Sequence, residues 1–208
     1  DGGASYYSYN SENKKYAITK KKSYLITFDR PFTRLNNEIK YYLDKIDNKS
    51  HLILSEILFL NFLNNNNYNF DLVSDYDLHS NYPIKNYKIF ISNTHPEYWS
   101  RNIFSNLKNY IGHIITFGGN VGYRLVEIND KKIKFIRNIK KSDKFINNIT
   151  GSLYDPTSYK KYIGYKILKN HRIFNAVGRK NDIISKDACG HEMDVSVRDN
   201  PSEILAKG

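Results

Sequence analysis

The residues best suited to chemistry lie together in one short segment, which runs from His95 to Trp99. Side chains at i and i+2 of an extended segment point the same way, and Pro96 stiffens the backbone between them. We therefore expect His95 and Glu97 to address one site, where they could share general acid/base work or hold a metal ion. The alternative is structural: His95 caps the following helix, Glu97 lies in its first turn and Trp99 packs in the core.

Other residues of chemical interest are more scattered along the chain. Tyr7 follows the opening glycines and Tyr98 follows Glu97, so these two stand out among 18 tyrosines. The segment Gly118-Gly119-Asn120 indicates close backbone approach to a ligand or a neighbouring strand, or else a tight turn that needs no ligand. It lacks the lysine and the glycine spacing of a phosphate-binding loop.

Two charged clusters favour structural roles. Arg30, in Asp29-Arg30-Pro31, is expected to form an internal ion pair that fixes a turn. His191 and Glu192 form an imidazole–carboxylate pair, but no second histidine follows at the spacing of a zincin helix. The chain also has no Gly-x-Ser-x-Gly elbow, and Cys189 comes late in the sequence, so no nucleophile of the usual kind is predicted.

Short apolar runs alternate with longer helical patterns, and this alternation is typical of a parallel α/β sheet. A helix is expected from Ser50 to the Asn64–Asn67 run, and another after Ser100, which is a plausible N-cap; the latter's apolar face would run from Ile103 to Ile111. The predicted strands are residues 24–28, 68–73, 87–92 and 114–117, followed by a strand pair within residues 123–135.

In open parallel sheets, ligands bind at the carboxyl ends of the strands, where the loops converge. Four polar segments follow predicted strands and are therefore expected at that edge: residues 29–32, 75–77, 95–99 and 118–120.

Composition limits the class of protein. The chain has 208 residues, 40% of them hydrophobic, so it can bury a core as a single domain over 1–208. Its formal net charge is +11, but the lysine excess accompanies many Asn, Ile and Tyr residues, which is typical of an AT-rich genome. Because no nucleic-acid motif is present, we expect no specific nucleic-acid partner.

The targeting signals are equally few. No apolar run approaches the ~18 residues of a membrane span, so no membrane partner is expected. A single Cys favours a reducing, cytoplasmic location. The chain starts at Asp1 without an initiator Met or a signal peptide, which suggests a fragment or the C-terminal part of a longer polypeptide.

Several segments, in this order, resemble the catalytic domain of the N,N-dimethylformamidase large (beta) subunit family. They are Gly2-Gly3-Ala4-Ser5-Tyr6-Tyr7, Thr27-Phe28-Asp29-Arg30-Pro31-Phe32, His95-Pro96-Glu97-Tyr98-Trp99-Ser100, Gly118-Gly119-Asn120 with Tyr123-Arg124, and Gly190-His191-Glu192-Met193-Asp194. The resemblance runs nearly end to end. It implies a flavodoxin-like fold of the class I glutamine amidotransferase type, a parallel sheet with helices on both faces.

The resemblance also implies a site. In that family a mononuclear iron is held by two tyrosine phenolates and one glutamate, with a histidine close by. Here the glutamate corresponds to Glu97, the histidine to His95 and one phenolate to Tyr7. The second tyrosine position is occupied by Phe32, which has no ligating oxygen. Tyr98, Tyr6 or water could substitute for it, or the chain binds metal weakly or not at all.

Two functional hypotheses follow. The first is an amidohydrolase that uses a metal to hydrolyse the C–N bond of a small linear amide, with Asn120 as a donor to the developing oxyanion. The second is a non-catalytic relative, a ligand-binding or assembly module with a degraded metal site. The resemblance further implies pairing with a small subunit and possible homo-oligomers.

Overall fold

The computed structural model of the chain describes eleven stretches separated by gaps. They are residues 9–10, 15–16, 25–27, 53–140, 142–143, 149–154, 165–175, 179–180, 183–184, 194–196 and 203–207.

The longest described stretch carries the elements that position the candidate site. Its helices are α1 (Ile53–Asn65), α2 (Asp75–His79) and α3 (Arg101–Lys108). Its strands are β4 (Ile89–Asn93), β5 (Tyr98–Ser100), β6 (His113–Phe117), β7 (Arg124–Asn129) and β8 (Lys132–Asn138). The strands before it are β1 (Tyr9–Asn10), β2 (Lys15–Tyr16) and β3 (Leu25–Thr27). Those after it are β9 (Ser152–Tyr154), β10 (Tyr165–Ile167), β11 (Arg179–Lys180), β12 (Ile183–Ile184), β13 (Asp194–Ser196) and β14 (Ala206–Lys207). Short 3₁₀ turns cover Ile84–Asn86 and Arg172–Phe174.

The described strands form several small sheets. β4 and β6 pair in parallel, and β5 pairs in parallel with β7 within a sheet of order β3-β8-β7-β5. The remaining pairings, including the β7–β8 hairpin, are antiparallel. The domain is therefore mixed α/β, as predicted, whereas a single parallel flavodoxin-like sheet with helices on both faces is not seen in these residues and stays a prediction.

Helix α3 follows β5 and leads to β6, and it packs on β5 and β7. Ser100 caps it as predicted, because its hydroxyl oxygen accepts from the Ile103 N–H at 3.3 Å. The same oxygen lies 2.8 Å from Nδ1 of His79, which ties α2 to the start of α3. The buried face holds Ile103, Phe104 and Leu107, and burial of each such side chain stabilises the fold by about 1.5–3 kcal/mol.

The core centres on α3 and the strands beside it. Its largest fully buried side chains are Trp99, Phe104, Ile103, Leu107 and Leu125. Trp99 meets Phe104 edge to face, with ring centres 5.4 Å apart. This core fixes β5, and so fixes the residues immediately before it.

Some predicted elements are correct and others are wrong. The strands at residues 25–27, 89–93 and 113–117, the β7–β8 hairpin and the helix ending in the Asn64–Asn67 run are confirmed. The strand predicted at 68–73 is wrong: these residues stay irregular and lead directly into the Ser74–Asp77 capping box of α2. Ile111, predicted on the buried face of α3, lies beyond the helix and is 95% exposed.

Among the described helices, none is long and apolar enough to cross a membrane.

Candidate functional site

The segment between β4 and β5 brings the predicted histidine and glutamate together. The His95 N–H donates to the Asn93 carbonyl and the Glu97 N–H donates to the His95 carbonyl, each at 2.9 Å. These two bonds make successive three-residue turns, the second centred on Pro96, whose fixed φ suits it. The segment is thus turned rather than extended, yet Nε2 of His95 lies 3.1 Å from Oε2 of Glu97.

Glu97 is a buried carboxylate with two cationic or polar partners. Its side chain is 7% exposed, and His95 contacts Oε2 while the Nε–H of Arg124 donates to Oε1. Burial raises the pKa of Glu97, but the hydrogen bonds and charges of His95 and Arg124 lower it by more. The pKa therefore lies below its ordinary value, and Glu97 is ionised at neutral pH.

Arg124 holds Glu97 through the backbone as well. Its N–H donates to the Glu97 carbonyl at 2.8 Å, just ahead of the parallel register in which Tyr98 pairs with Arg124. Across the hairpin its Nη1 donates to Oδ1 of Asn138 at 3.2 Å, and Nδ2 of Asn138 donates to the Tyr123 hydroxyl at 2.9 Å.

The predicted glycine loop lies against the His95–Glu97 segment. Gly118 follows β6 and packs on the backbone of Thr94, which follows the paired strand β4. The Gly122 N–H donates to the Pro96 carbonyl at 2.8 Å. Asn120, between them, is buried, and its carbonyl accepts from the Tyr123 N–H at 3.0 Å. The loop that holds residues 118–120 thus contacts Thr94 and Pro96 through Gly118 and Gly122, so two of the four segments predicted at one sheet edge lie in neighbouring loops.

The backbone around this edge adopts conformations that are rare for most residues. Thr94 has φ +61°, Asn120 has φ +65° and Gly122 has φ +60°. For residues other than glycine this left-handed region is uncommon, with Asn enriched in it, and such residues cluster at functional sites.

The other predicted site residues divide into three groups. Tyr98 lies beside the site, with the Arg124 guanidinium carbon 6.0 Å from its ring centre. Trp99 is 1% exposed and packs in the core, as the structural alternative predicted. The other two parts of that alternative are wrong, because Ser100 and not His95 caps the helix, and Glu97 precedes it. The positions outside the described residues are Tyr6, Tyr7, Arg30, Phe32, His191 and Glu192. Residues 75–77, predicted at the same edge, follow no strand and form the start of α2.

Arg124 and Asn138 were not predicted as site residues. The signal that could have found Arg124 is its place in Tyr123-Arg124, one of the segments that resemble the family. Asn138 could not be found from sequence, since its position depends on the β7–β8 register, which contains a bulge between Leu125 and Val126.

The described residues supply only part of a metal-binding donor set. They contain no group of three or more His, Cys, Asp or Glu side chains arranged to hold an ion. Glu97 and His95 offer one carboxylate and one imidazole, whereas catalytic metal sites commonly use three protein ligands. A phenolate ligand from Tyr7, as the resemblance implies, lies outside the described residues.

The geometry is that of an α/β domain with a buried, ionised carboxylate beside a histidine at the edge of a parallel strand pair. Residues 2–207 match the family described as N,N-dimethylformamidase beta subunit-like, C-terminal, and the chain belongs to that family. The resemblance predicted from the sequence is therefore confirmed. Comparison with curated proteins gives no significant match.

Proposed function

We propose that the chain is a dimethylformamidase-like amidohydrolase domain that hydrolyses the C–N bond of a small linear amide. The observation that carries the proposal is the buried carboxylate of Glu97, held ionised against His95, in a member of this family. An ionised carboxylate is seldom buried unless it has a function or a close cationic partner. Titratable groups with perturbed pKa values are enriched at active sites.

His95 and Asn120 have separate proposed roles. His95, oriented by Glu97, moves the proton: it accepts one from the attacking water and returns it to the departing amine nitrogen. The water oxygen forms a bond to the carbonyl carbon and the C–N bond breaks, which gives a carboxylic acid and an amine. Asn120 donates its side-chain amide to the carbonyl oxygen as negative charge develops there.

The proposed cofactor is a mononuclear iron, held by Glu97 and Tyr7. When bound, it supplies Lewis-acid polarisation of the amide carbonyl and lowers the pKa of a bound water. A hard ferric ion prefers anionic oxygen ligands, which Glu97 and a tyrosine phenolate offer and Phe32 does not.

The decisive experiment combines metal analysis with turnover of N,N-dimethylformamide. We expect near-stoichiometric iron and formate release in the wild-type protein, and loss of both in Glu97→Gln. Glu127→Gln is the matched control, because the Glu127 side chain is 54% exposed and pairs only loosely with Lys134, at 3.6 Å. Full turnover by Glu97→Gln would reject the catalytic assignment.

A second candidate is a non-catalytic relative that binds ligands or supports assembly. Both carboxylate oxygens of Glu97 already have protein partners, which favours this candidate, and the resemblance assigns the second tyrosine position to Phe32. A wild-type protein that folds but neither retains iron nor releases formate from N,N-dimethylformamide would support this candidate.

The family is named after an enzyme's beta subunit. We therefore propose partner chains, a small subunit and a second copy of this chain, and light scattering of the purified protein with and without a co-expressed small subunit tests both. The proposed cytoplasmic location rests on the single Cys.

A further inference from the structure

Arg124 differs from an ordinary ion-pair partner in how firmly it is held. Its side chain is 25% exposed and its Nε–H donates to Oε1 of Glu97, while Nη1 donates to Asn138. Asn138 is itself held by the Tyr123 hydroxyl. Two of the five guanidinium N–H groups therefore have partners, one just before β5 and one in β8.

Three aromatic rings surround the same guanidinium group. Its central carbon lies 5.5 Å from the ring centre of Tyr123, 5.9 Å from that of Phe135 and 6.0 Å from that of Tyr98. The negative ring faces attract the cationic guanidinium group. The rings restrict the guanidinium plane, and the plane sets the direction of the Nε–H bond.

The two partners of Glu97 occupy different oxygens. Arg124 engages Oε1 and His95 contacts Oε2, so the carboxylate cannot turn about its last bond without breaking one of these contacts. The backbone bond from Arg124 to the Glu97 carbonyl fixes the other end of the residue. Oε2 is therefore the oxygen on the His95 side, while Oε1 faces Arg124.

We propose that Arg124 is a positioning residue, which fixes the carboxylate plane of Glu97 so that only Oε2 is presented, beside His95, to a bound cation or substrate group. This proposal rests on the proposed function and adds how its central residue is oriented. According to this proposal, Arg124 acts through the fixed direction of its N–H bonds and not through its positive charge alone. Lysine tests the difference, because it carries the same charge but cannot bond Glu97 and Asn138 through one rigid plane.

The test compares Arg124→Lys with Arg137→Lys. Arg137 also lies in the hairpin and holds a carboxylate, since its two terminal nitrogens donate to Asp143 at 2.7 and 2.6 Å, but neither residue touches Glu97 in the described structure. Lost support of a ligand residue typically costs about 10- to 100-fold in metal affinity or activity. We expect that loss in Co²⁺ affinity and in kcat for Arg124→Lys, with KM little changed, and no loss for Arg137→Lys.

Chemical rescue separates positioning from general stability. Arg124→Ala leaves a space lined by Tyr123, Phe135 and Tyr98, and methylguanidinium ions are expected to restore part of its kcat and Co²⁺ affinity, whereas methylammonium ions are not. Equal rescue by the two ions would overturn the proposal, because charge alone would then suffice. Wild-type behaviour of Arg124→Lys would overturn it equally.

One measurement does not depend on activity. The Arg124 Nε–H proton resonance, assigned by its absence in Arg124→Lys, is expected downfield in the wild type and upfield of that position in Glu97→Gln. An unchanged resonance in Glu97→Gln would reject the positioning role whatever the enzyme does. The expected shift in a protein without amidase activity or Co²⁺ binding would instead reject the proposed function and leave the orientation of Glu97 in place.

Discussion

Gly118 lies directly against the backbone carbonyl of Thr94, so close that a Cβ atom at position 118 would overlap that oxygen. The two residues follow β6 and β4, whose parallel register ends with Asn93 opposite Phe117. His95 comes immediately after Thr94. The distance between the two strand ends therefore sets where His95 begins.

We expect Gly118→Ala to impair the site more than the fold. The added methyl group would clash with the Thr94 carbonyl, which is backbone and cannot rotate away like a side chain. The ends of β4 and β6 must therefore separate, and His95 must move with Thr94. Displacements of about 1 Å at a reacting group can cost on the order of 100-fold in rate. Co²⁺ affinity and N,N-dimethylformamide turnover measure the effect, and Ile111→Ala, at an exposed position just before β6, is the control. An unimpaired Gly118→Ala protein would contradict this geometry.

We expect Gly122→Ala to reduce stability instead. Gly122 has φ +60°, and a Cβ atom there would lie 2.8 Å from ring atoms of both Phe104 and Trp99. The left-handed backbone alone costs a non-glycine residue about 1–3 kcal/mol, and the ring contacts add to this cost. Urea unfolding measures the loss. Gly151→Ala, at φ +71°, provides the comparison for backbone strain, and an equal loss in both variants would mean that the rings contribute nothing.

The lowered pKa of Glu97 predicts that the free energy of unfolding depends on pH. Its pKa in the folded state lies below the ordinary value of 4.5, so its contribution is fully present above that pH and is lost as the pH falls through the folded pKa. Glu97→Gln should therefore lower the free energy of unfolding by about 1–3 kcal/mol near neutral pH, because Arg124 loses its charged partner. The difference from wild type should shrink below pH 4.5.

Urea unfolding of both proteins across that pH range measures this difference. Glu127→Gln, at an exposed glutamate, should change stability by no more than about 0.5 kcal/mol at any pH. A gap between Glu97→Gln and wild type that is equally wide at acid and neutral pH would contradict the ionised state of Glu97.

Phe32→Tyr tests the proposed iron site. If only one phenolate ligand is missing, the added hydroxyl should increase ferric affinity and the visible absorption band of phenolate bound to iron. Titration with ferric ions under a weak chelator measures both. Phe70→Tyr, at a residue 39% exposed in the irregular segment after α1, is the control and should leave the band unchanged. Equal colour in wild type and Phe32→Tyr would mean that other residues already complete the site.

The local elements of this fold were largely predictable because their signals are local. Ser100 followed by apolar residues at helical spacing predicted α3, and the Asn129-Asp130 turn predicted the β7–β8 hairpin, where Asp130 indeed has φ +52°. Strand pairing was not predictable, because it depends on partners distant in sequence. The strand expected at 68–73 has suitable residue types, but in the described structure its backbone pairs with no other strand.

In the site, too, the local contact was predictable and the contact between residues distant in sequence was not. The spacing of His95 and Glu97 predicted their contact, although for the wrong backbone conformation. Arg124 lies 27 residues from Glu97 in sequence and reaches it only through the parallel β5–β7 pairing. Contacts that depend on register are invisible to spacing rules, so the residue that holds Glu97 in place came from the structure.

Residues 94–97 join two different sheets: β4 belongs to the β4–β6 pair, and β5 belongs to the sheet that contains β7. His95 follows the first sheet closely, while Glu97 is fastened to the second by Arg124. A ligand that bound both His95 and Glu97 would therefore link two sheets that share no backbone hydrogen bonds in the described residues. Its arrival should slow amide exchange in β6 and β7 together, so that the two sheets open as one cooperative unit.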